Sequence, residues 1–335
     1  MRILVTGGGG FLGRNLVRLL AQDAANEITV VSRSRPAQVS RDYAGNRPNV
    51  RYIDGVDIES PACISRHLDG VETVYHLAAR IEFDTRSLQR DFDTNVVGTL
   101  NVLRCCVDAG VKTLVVVSSI ASLGYTDDGS PVTEEFSFDW DNRPNNAYMR
   151  TKWFADQAVQ AAPTGSTRVV IANPTVIVGP GATGNIFKLF QYAASAPLVL
   201  GPTGKVNIAD VRDVAAGLMH LSVHGNHKER YIVGGDEHAD FYELLQLIVK
   251  ALGKRTPVLP LPKLTATLLC PVLRMLEACG MNFESKKTTS KHLSISFQDI
   301  FASNAKMRAT GWKPSGGIAK TVEETVAWYK AEKLL

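Results

Sequence analysis

The feature that most constrains this chain is Thr6-Gly7-Gly8-Gly9-Gly10-Phe11-Leu12-Gly13, a glycine-rich turn set between an apolar β-branched run and an amphipathic helical pattern. Glycines leave the backbone bare, so it can approach a pyrophosphate, and the helix beyond presents free N–H groups and the positive end of its dipole. A lone glycine string is commonly just a turn. This one opens a strand–turn–helix unit, and that context points to dinucleotide binding by Gly7, Gly10, Phe11, Leu12 and Gly13.

The rest of the first half repeats that unit. Strand patterns at Arg2–Thr6, Ile28–Ser32, Arg51–Ile53, Thr73–His76, Thr113–Ser118 and Arg168–Ala172 alternate with helical patterns at Leu12–Gln22, Ile64–Leu68, Asn95–Ala109 and Tyr148–Ala162. Strands such as Thr113–Ser118 are continuously apolar, as strands covered on both faces must be. The expected fold class is α/β, a doubly wound parallel sheet of the Rossmann type. After Pro174 the sequence becomes rich in Gly and Pro, with helical patterns at Phe241–Leu252, Leu264–Ala278 and Ile318–Glu332. We expect residues 1–175 to form the NAD(P)-binding domain, with 205–235 returning to it. Residues 176–204 and 236–335 then form a smaller, discontinuous substrate-binding lobe. Within the returning stretch, Lys205–Val211 and Arg230–Val233 read as strands of the main sheet.

Composition excludes several alternatives. With 45% hydrophobic and 21% charged residues, and 37 basic against 33 acidic side chains for a net +4, the chain is an ordinary globular one. It has no dense basic block beyond pairs such as Lys286-Lys287, so no nucleic-acid partner is expected. Cys63, Cys105, Cys106, Cys270 and Cys279 lack disulfide or zinc spacing and read as reduced thiols in a cytoplasmic protein. His224 and His227 lie in a loop without further ligands, and no metal is expected. The N-terminus carries no leader pattern, and Leu264–Met281, interrupted by Pro271, Arg274 and Glu277, is too broken for a membrane span. That stretch reads as a substrate lid, a membrane-surface contact or plain core.

The glycine spacing, Gly7-x-x-Gly10-x-x-Gly13, resembles that of the extended short-chain dehydrogenase/reductases, also called the NAD-dependent epimerase/dehydratase family. Further motifs follow in that family's order: Val56-Asp57-Ile58, His76-Leu77-Ala78-Ala79, Asn95-Val96-Val97-Gly98-Thr99, Ser118-Ser119, Tyr148-Met149-Arg150-Thr151-Lys152 and Asn173-Pro174-Thr175. Each is weak alone; their joint order is specific. Ser118–Gly124, Ala172–Gly181 and Asp210–Ala215 resemble the branch of dihydroflavonol reductases, 3-beta-hydroxysteroid dehydrogenases and hopanoid-associated epimerase-like proteins.

Tyr148 and Lys152 stand four apart on a helix and share a face, so a lysine cation can favour the phenolate of a tyrosine that would otherwise hold its proton at neutral pH. The resemblance implies that Lys152 also bonds the nicotinamide ribose, that Ser119, five residues before Gly124, holds the substrate oxygen, and that Asn95 helps hold the lysine through a water. It further places Asp57 and Ile58 at the adenine, and Leu77, Ala78, Ala79, Pro174 and Val176 along the cofactor. The second strand ends Ser32-Arg33 without the acid that would bond a ribose 2′-hydroxyl, so Ser32 and Arg33 favour a 2′-phosphate: NADP(H) is favoured and NAD(H) possible.

These features imply an enzyme interconverting a secondary alcohol and a ketone on a hydrophobic small molecule, the Leu- and Met-rich lobe tilting toward such a substrate. One alternative is a nucleotide-sugar epimerase or dehydratase with tightly bound NAD(P). Gly204-Lys205-Val206-Asn207, in place of the arginine such enzymes use for a diphosphate, counts against it. A non-catalytic NADP-binding regulatory protein is the second alternative. The resemblance also implies a homodimer through the Asn95–Ala109 and Tyr148–Ala162 helices: the first carries Val97, Leu100, Val102, Leu103, Cys106 and Val107, more apolar positions than one buried stripe needs, and Trp153, Phe154 and Val159 add apolar surface on the second.

Overall fold

A computed structural model describes residues 1–34, 47–81, 88–126, 128–143, 145–265, 271, 272, 275 and 297–335. Its centre is a seven-stranded sheet in the order β10-β6-β5-β4-β1-β2-β3, formed by Arg2–Thr6 (β1), Glu27–Val31 (β2), Val50–Ile53 (β3), Thr73–His76 (β4), Thr113–Val117 (β5), Arg168–Pro174 (β6) and Arg230–Val233 (β10). All its pairings are parallel. The inner strands β4, β5 and β6 are buried almost along their length because both faces are covered. On one side Ile3, Val5 and Val115 pack with Leu16, Val17 and Leu218 of the helices Phe11–Leu20 and Val211–His224. On the other, Leu4, Val74 and Leu114 pack with Val102, Cys106 and Val159 of the helices Gly98–Asp108 and Ala147–Ala161.

The chain starts at β1, runs outward through β2 and β3, then crosses to β4 and continues the other way. Strand order therefore reverses between β1 and β4, and a crevice opens at their C-terminal ends, where open α/β sheets bind ligands.

Val176–Val178 (β7), Lys205–Asp210 (β9) and His238–Asp240 (β11) form a separate three-stranded sheet, and Val199–Pro202 (β8) pairs with Val258–Leu261 (β12). The expectation that both 205–211 and 230–233 rejoin the main sheet is thus corrected. β10 pairs with β6, whereas β9 lies between β7 and β11. The β9 side chains Val206 and Ile208 bury against Phe190, Leu244, Ile248 and Val322 of the helices Asn185–Ser195, Phe241–Leu252 and Ile318–Ala331, a core of their own. Most of the Leu264–Met281 stretch lies outside the described residues, as do Arg35, Cys270, Cys279, Lys286 and Lys287. Within that stretch Leu264, Val272 and Met275 are exposed.

Two local features aim the chain at the crevice. The helix expected from Asn95 begins earlier: Leu88–Phe92 is α-helical, Asp93–Val97 forms a π turn, and Gly98–Asp108 resumes the α-helix. π turns insert a residue into the helical ladder and frequently mark functional sites. After β5 the chain turns at Gly124 with φ +84°, where a Cβ would lie 2.3 Å from the Phe138 ring. Gly124→Ala would combine a positive-φ penalty with overpacking, so urea unfolding should show a loss of about 2–4 kcal/mol. An unchanged midpoint would mean that this turn does not constrain the loop after Ser119.

Candidate active site

The crevice is lined by backbone drawn unusually close. Gly7 has φ +69°, and a Cβ there would stand 2.6 Å from the Ala78 nitrogen; one at Gly13 would stand 2.3 Å from the Gly7 oxygen. The ends of β1 and β4 are stitched together by Leu77 N–H donating to the Thr6 carbonyl at 3.1 Å and Ala78 N–H to Thr6 Oγ1 at 3.2 Å. Buried beneath them, His76 bridges Thr6 Oγ1 at 2.7 Å and Thr99 Oγ1 at 3.0 Å. The single Thr99 proton goes to the Asn95 carbonyl at 2.6 Å. Nε2 of His76 must then donate to Thr99, and Nδ1 accepts from Thr6. Burial, followed by the Lys152 charge, pushes the His76 imidazole down to about 3, so it stays neutral.

The expected cofactor residues fall at or just after the C-terminal ends of β1, β2, β3, β4 and β6. Gly7, Phe11 and Leu12 are half-buried and Gly10 exposed at the start of the first helix; Leu77, Ala78 and Ala79 are half-buried after β4. At the far rim Ser32 is half-buried and Arg33 exposed. Ser32 Oγ donates to the Ser34 carbonyl at 3.0 Å and reaches Asp54 Oδ1 at 3.4 Å. That acid comes from the end of β3, where inspection of β2 alone misses it. Asp57 Oδ1 accepts from Glu59 N–H at 3.0 Å, and Ile58 is buried where the helix passes at Gly98. Pro174 closes β6 opposite Val233, and Val176 opens β7. A bare glycine backbone, a helix N-terminus and a half-buried wall from β4 suit a dinucleotide's pyrophosphate.

Beside the crevice the structure brings together Ser119, Tyr148 and Lys152. Ser119 follows β5, caps the short 3-10 turn Ile120–Ser122 by accepting Ala121 N–H at 3.2 Å, and shares a hydrogen bond with the Tyr148 phenol. Tyr148 and Lys152 lie on the helix Ala147–Ala161, which Asn146 caps by accepting Met149 N–H at 2.9 Å. Lys152 is buried and its Nζ donates to the Val117 carbonyl at 3.1 Å. Burial pushes the Tyr148 phenol above its ordinary range; the Ser119 bond draws it back and the Asp156 charge adds to the rise. Burial brings the Lys152 ammonium down to about 8, against an opposing pull from Asp156.

Asn95 is held by direct hydrogen bonds on two sides. Its Oδ1 accepts Arg80 N–H at 2.8 Å, while Nδ2 donates to the Arg80 carbonyl at 3.0 Å and to Thr151 Oγ1 at 3.1 Å. It thus latches the segment after β4 to the helix bearing Lys152. Arg80 in turn pairs through Nε with Asp91, which is 0% exposed, at 3.1 Å. Neither Arg80 nor Asp91 was expected at the site.

Sequence reasoning also missed Asp156, 1% exposed. Its Oδ2 accepts Ser122 Oγ–H at 2.6 Å and Asn173 Nδ2–H at 3.0 Å. The same Asn173 nitrogen lies 3.1 Å from the Ser119 carbonyl. Tyr148, Lys152 and Asp156 repeat at intervals of four on one helix face, a spacing that an acid on a solvated face would share equally.

The model of the NAD dependent epimerase/dehydratase family matches residues 3–234. The chain is 30% identical to sterol demethylase protein B of Methylococcus capsulatus over 78% of each chain. It is 28% identical to ceramide reductase of Caulobacter vibrioides over 98% of this chain and 94% of that protein. In fold it matches DesIV, a dTDP-glucose 4,6-dehydratase from Streptomyces venezuelae solved with NAD bound, at TM-score 0.80 and 24% identity, over 99% of this chain and 98% of the other.

Asn95→Ala would leave the Arg80 amide and carbonyl and the Thr151 hydroxyl short of partners. Buried groups left so cost about 1–3 kcal/mol each, and the loss in urea unfolding should fall in or above that range. A change under about 0.5 kcal/mol, within the ordinary range for surface substitutions, would contradict the latch.

Proposed function

Because the chain belongs to the NAD dependent epimerase/dehydratase family, we propose that it is an NADP(H)-preferring oxidoreductase interconverting a secondary alcohol and a ketone on a hydrophobic small molecule. The observation that carries this proposal is the hydrogen bond between Ser119 and Tyr148, with Lys152 buried on the same helix face beside the glycine-lined crevice. The hydride comes from, or returns to, the nicotinamide; that is the chemistry the bound cofactor supplies. In reduction, Ser119 holds the carbonyl oxygen, Tyr148 gives its proton to that oxygen, and the cation of Lys152 favours the phenolate left behind. Oxidation runs the same groups backwards, with Tyr148 taking the hydroxyl proton. Lys152 is useful only while protonated, so activity should fall as pH rises through about 8.

A hydrophobic substrate agrees with the names of the two relatives, a sterol demethylase component and a ceramide reductase. The expected lobe of 176–204 and 236–335, with Lys205–Asp210 added by its pairing to β7 and β11, would close over it. Exposed Arg33 beside Ser32 supports a 2′-phosphate. The Asp54 carboxylate at 3.4 Å from Ser32 favours a 2′-hydroxyl instead, and carries NAD(H) as the second reading. Dimerisation would use the exposed Val97 and Phe154 on the two helices.

Three measurements check this. A panel of ketones, including flat polycyclic compounds and a sugar nucleotide, followed at the reduced nicotinamide absorbance, should show stoichiometric NADPH consumption with an apolar ketone. Turnover of the sugar nucleotide with no net cofactor change would point to the epimerase class. Tyr148→Phe should lose ~100–10,000-fold in turnover with cofactor binding intact; retention of more than half the rate would remove Tyr148 from the relay. Arg33→Ala should weaken NADPH binding by roughly 1.5–3 kcal/mol and leave NADH nearly unchanged. Equal losses would place Arg33 on the adenine ring.

A further inference from the structure

Beneath the proposed relay lies a carboxylate that the chemistry above does not use. Asp156 follows Lys152 by four residues on the Ala147–Ala161 helix and is 1% exposed. A carboxylate so buried is costly unless its surroundings compensate it; here Oδ2 receives two hydrogen bonds and Oδ1 none among the described residues, with Lys152 one turn back on the same helix face. Its Oδ2 takes the protons of Ser122 Oγ at 2.6 Å and Asn173 Nδ2 at 3.0 Å, and the Ser118 hydroxyl stands next to the same carboxyl. Ser122 belongs to the turn that begins at Ser119. The Asn173 nitrogen also faces Ser122 Oγ at 2.9 Å and the Ser119 carbonyl at 3.1 Å. One side chain therefore gathers the end of β5, the end of β6 and the helix of the relay.

We propose that Asp156 is a positioning residue: its carboxylate keeps Lys152 cationic and, through Ser122 and Asn173, fixes the strand end that presents Ser119. The groups around Lys152 and Asp156 support the electrostatic half. From their own helix these are Tyr148, Lys152 and Asp156. From β4 comes His76, neutral at working pH. From the end of β5 come the Val117 carbonyl and the hydroxyls of Ser118, Ser119 and Ser122, and from β6 the Asn173 amide. Among these described groups Asp156 supplies the negative charge that acts on Lys152. Burial raises the Asp156 carboxyl above the ordinary carboxylate range, and the neighbouring Ser122 and Asn173 donors and the Lys152 charge oppose that rise. The network thus joins placement of the hydroxyl that would hold the substrate to the charge of the ammonium that supports the phenolate.

The relay this residue serves rests on the proposed function, so the test uses a readout that needs no substrate. Competitive labelling with acetic anhydride across a pH series, read by peptide mass spectrometry, gives the titration midpoint of Lys152 itself. The midpoint should lie near about 8 in the wild type. In Asp156→Asn it should fall by about one to two pH units, the size expected for losing one charge within a turn of helix in a partly screened interior. Asp156→Glu keeps the charge and should hold the midpoint within a few tenths of a unit. A merely structural role would lower the melting temperature and leave the Lys152 midpoint in place. A midpoint unchanged in folded Asp156→Asn overturns the proposal. Should that variant not fold, a drop of a unit in Asp156→Glu overturns it equally. Failure of the ketone panel with the predicted labelling shift would sink the reaction assignment and leave Asp156 standing; the converse result would do the opposite.

Discussion

The crevice depends on one close approach, that of the Gly7 backbone to Leu77 and Ala78. A side chain at Gly7 would occupy the space of the Ala78 amide, 2.6 Å away, so the ends of β1 and β4 can meet only because that position is bare. Their meeting point is also where strand order reverses, which opens the crevice and turns the first helix toward it. From the same junction runs the hydrogen-bond chain of Ala78, Thr6, His76, Thr99 and Asn95. Neutral His76 is what lets that chain run in one direction, and its burial beside the Lys152 cation keeps it neutral.

The second organising element is the Ala147–Ala161 helix. Its inward face carries Tyr148, Lys152 and Asp156, while Thr151 takes the Asn95 amide and Trp153 stacks on Trp140 at 5.1 Å between ring centroids. Met149, on the same helix, lies in a cluster with Tyr125, Phe138 and Trp140. Arg143 lies over the Tyr125 and Phe138 rings at 4.5 and 4.8 Å and donates to the Tyr125 carbonyl at 2.8 Å. Tyr125, Phe138 and Trp140, from the stretch between Ser119 and Tyr148, are thereby packed into a small core against that helix. Ser119 and Tyr148, from distant parts of the chain, are thus held in register by apolar contacts on one side and a buried polar network on the other.

Much of this was legible in the sequence for identifiable reasons. Continuously apolar strands and a glycine turn between strand and helix have few alternative uses, so the parallel sheet and the crevice follow from them. Tyr148 and Lys152 were visible through spacing and through the order of the surrounding motifs. Asp156 was not, because one acid in a helical pattern reads as part of a solvated face until the packing of β5 and β6 against it is known. Asp54 escaped because β3 brings it to Ser32 only once the sheet is assembled. The β8–β12 ribbon and the β7–β9–β11 sheet were hidden by Gly and Pro, which punctuate strands and loops alike. The π turn at Asp93–Val97 has no signature in residue type, yet it is where Asn95 reaches Arg80.

In the proposed reaction a hydride passes in net to the ketone carbon while Tyr148 carries the proton to oxygen, and isotope tracing follows that hydride. With reduced dinucleotide deuterated at the transferring position of its nicotinamide and an apolar ketone as substrate, the deuterium should appear on the product's carbinol carbon, one atom per cofactor oxidised. Deuterium remaining on a cofactor that is never consumed, while the substrate still changes, would contradict the account and place the chain among enzymes whose hydride step is only transient.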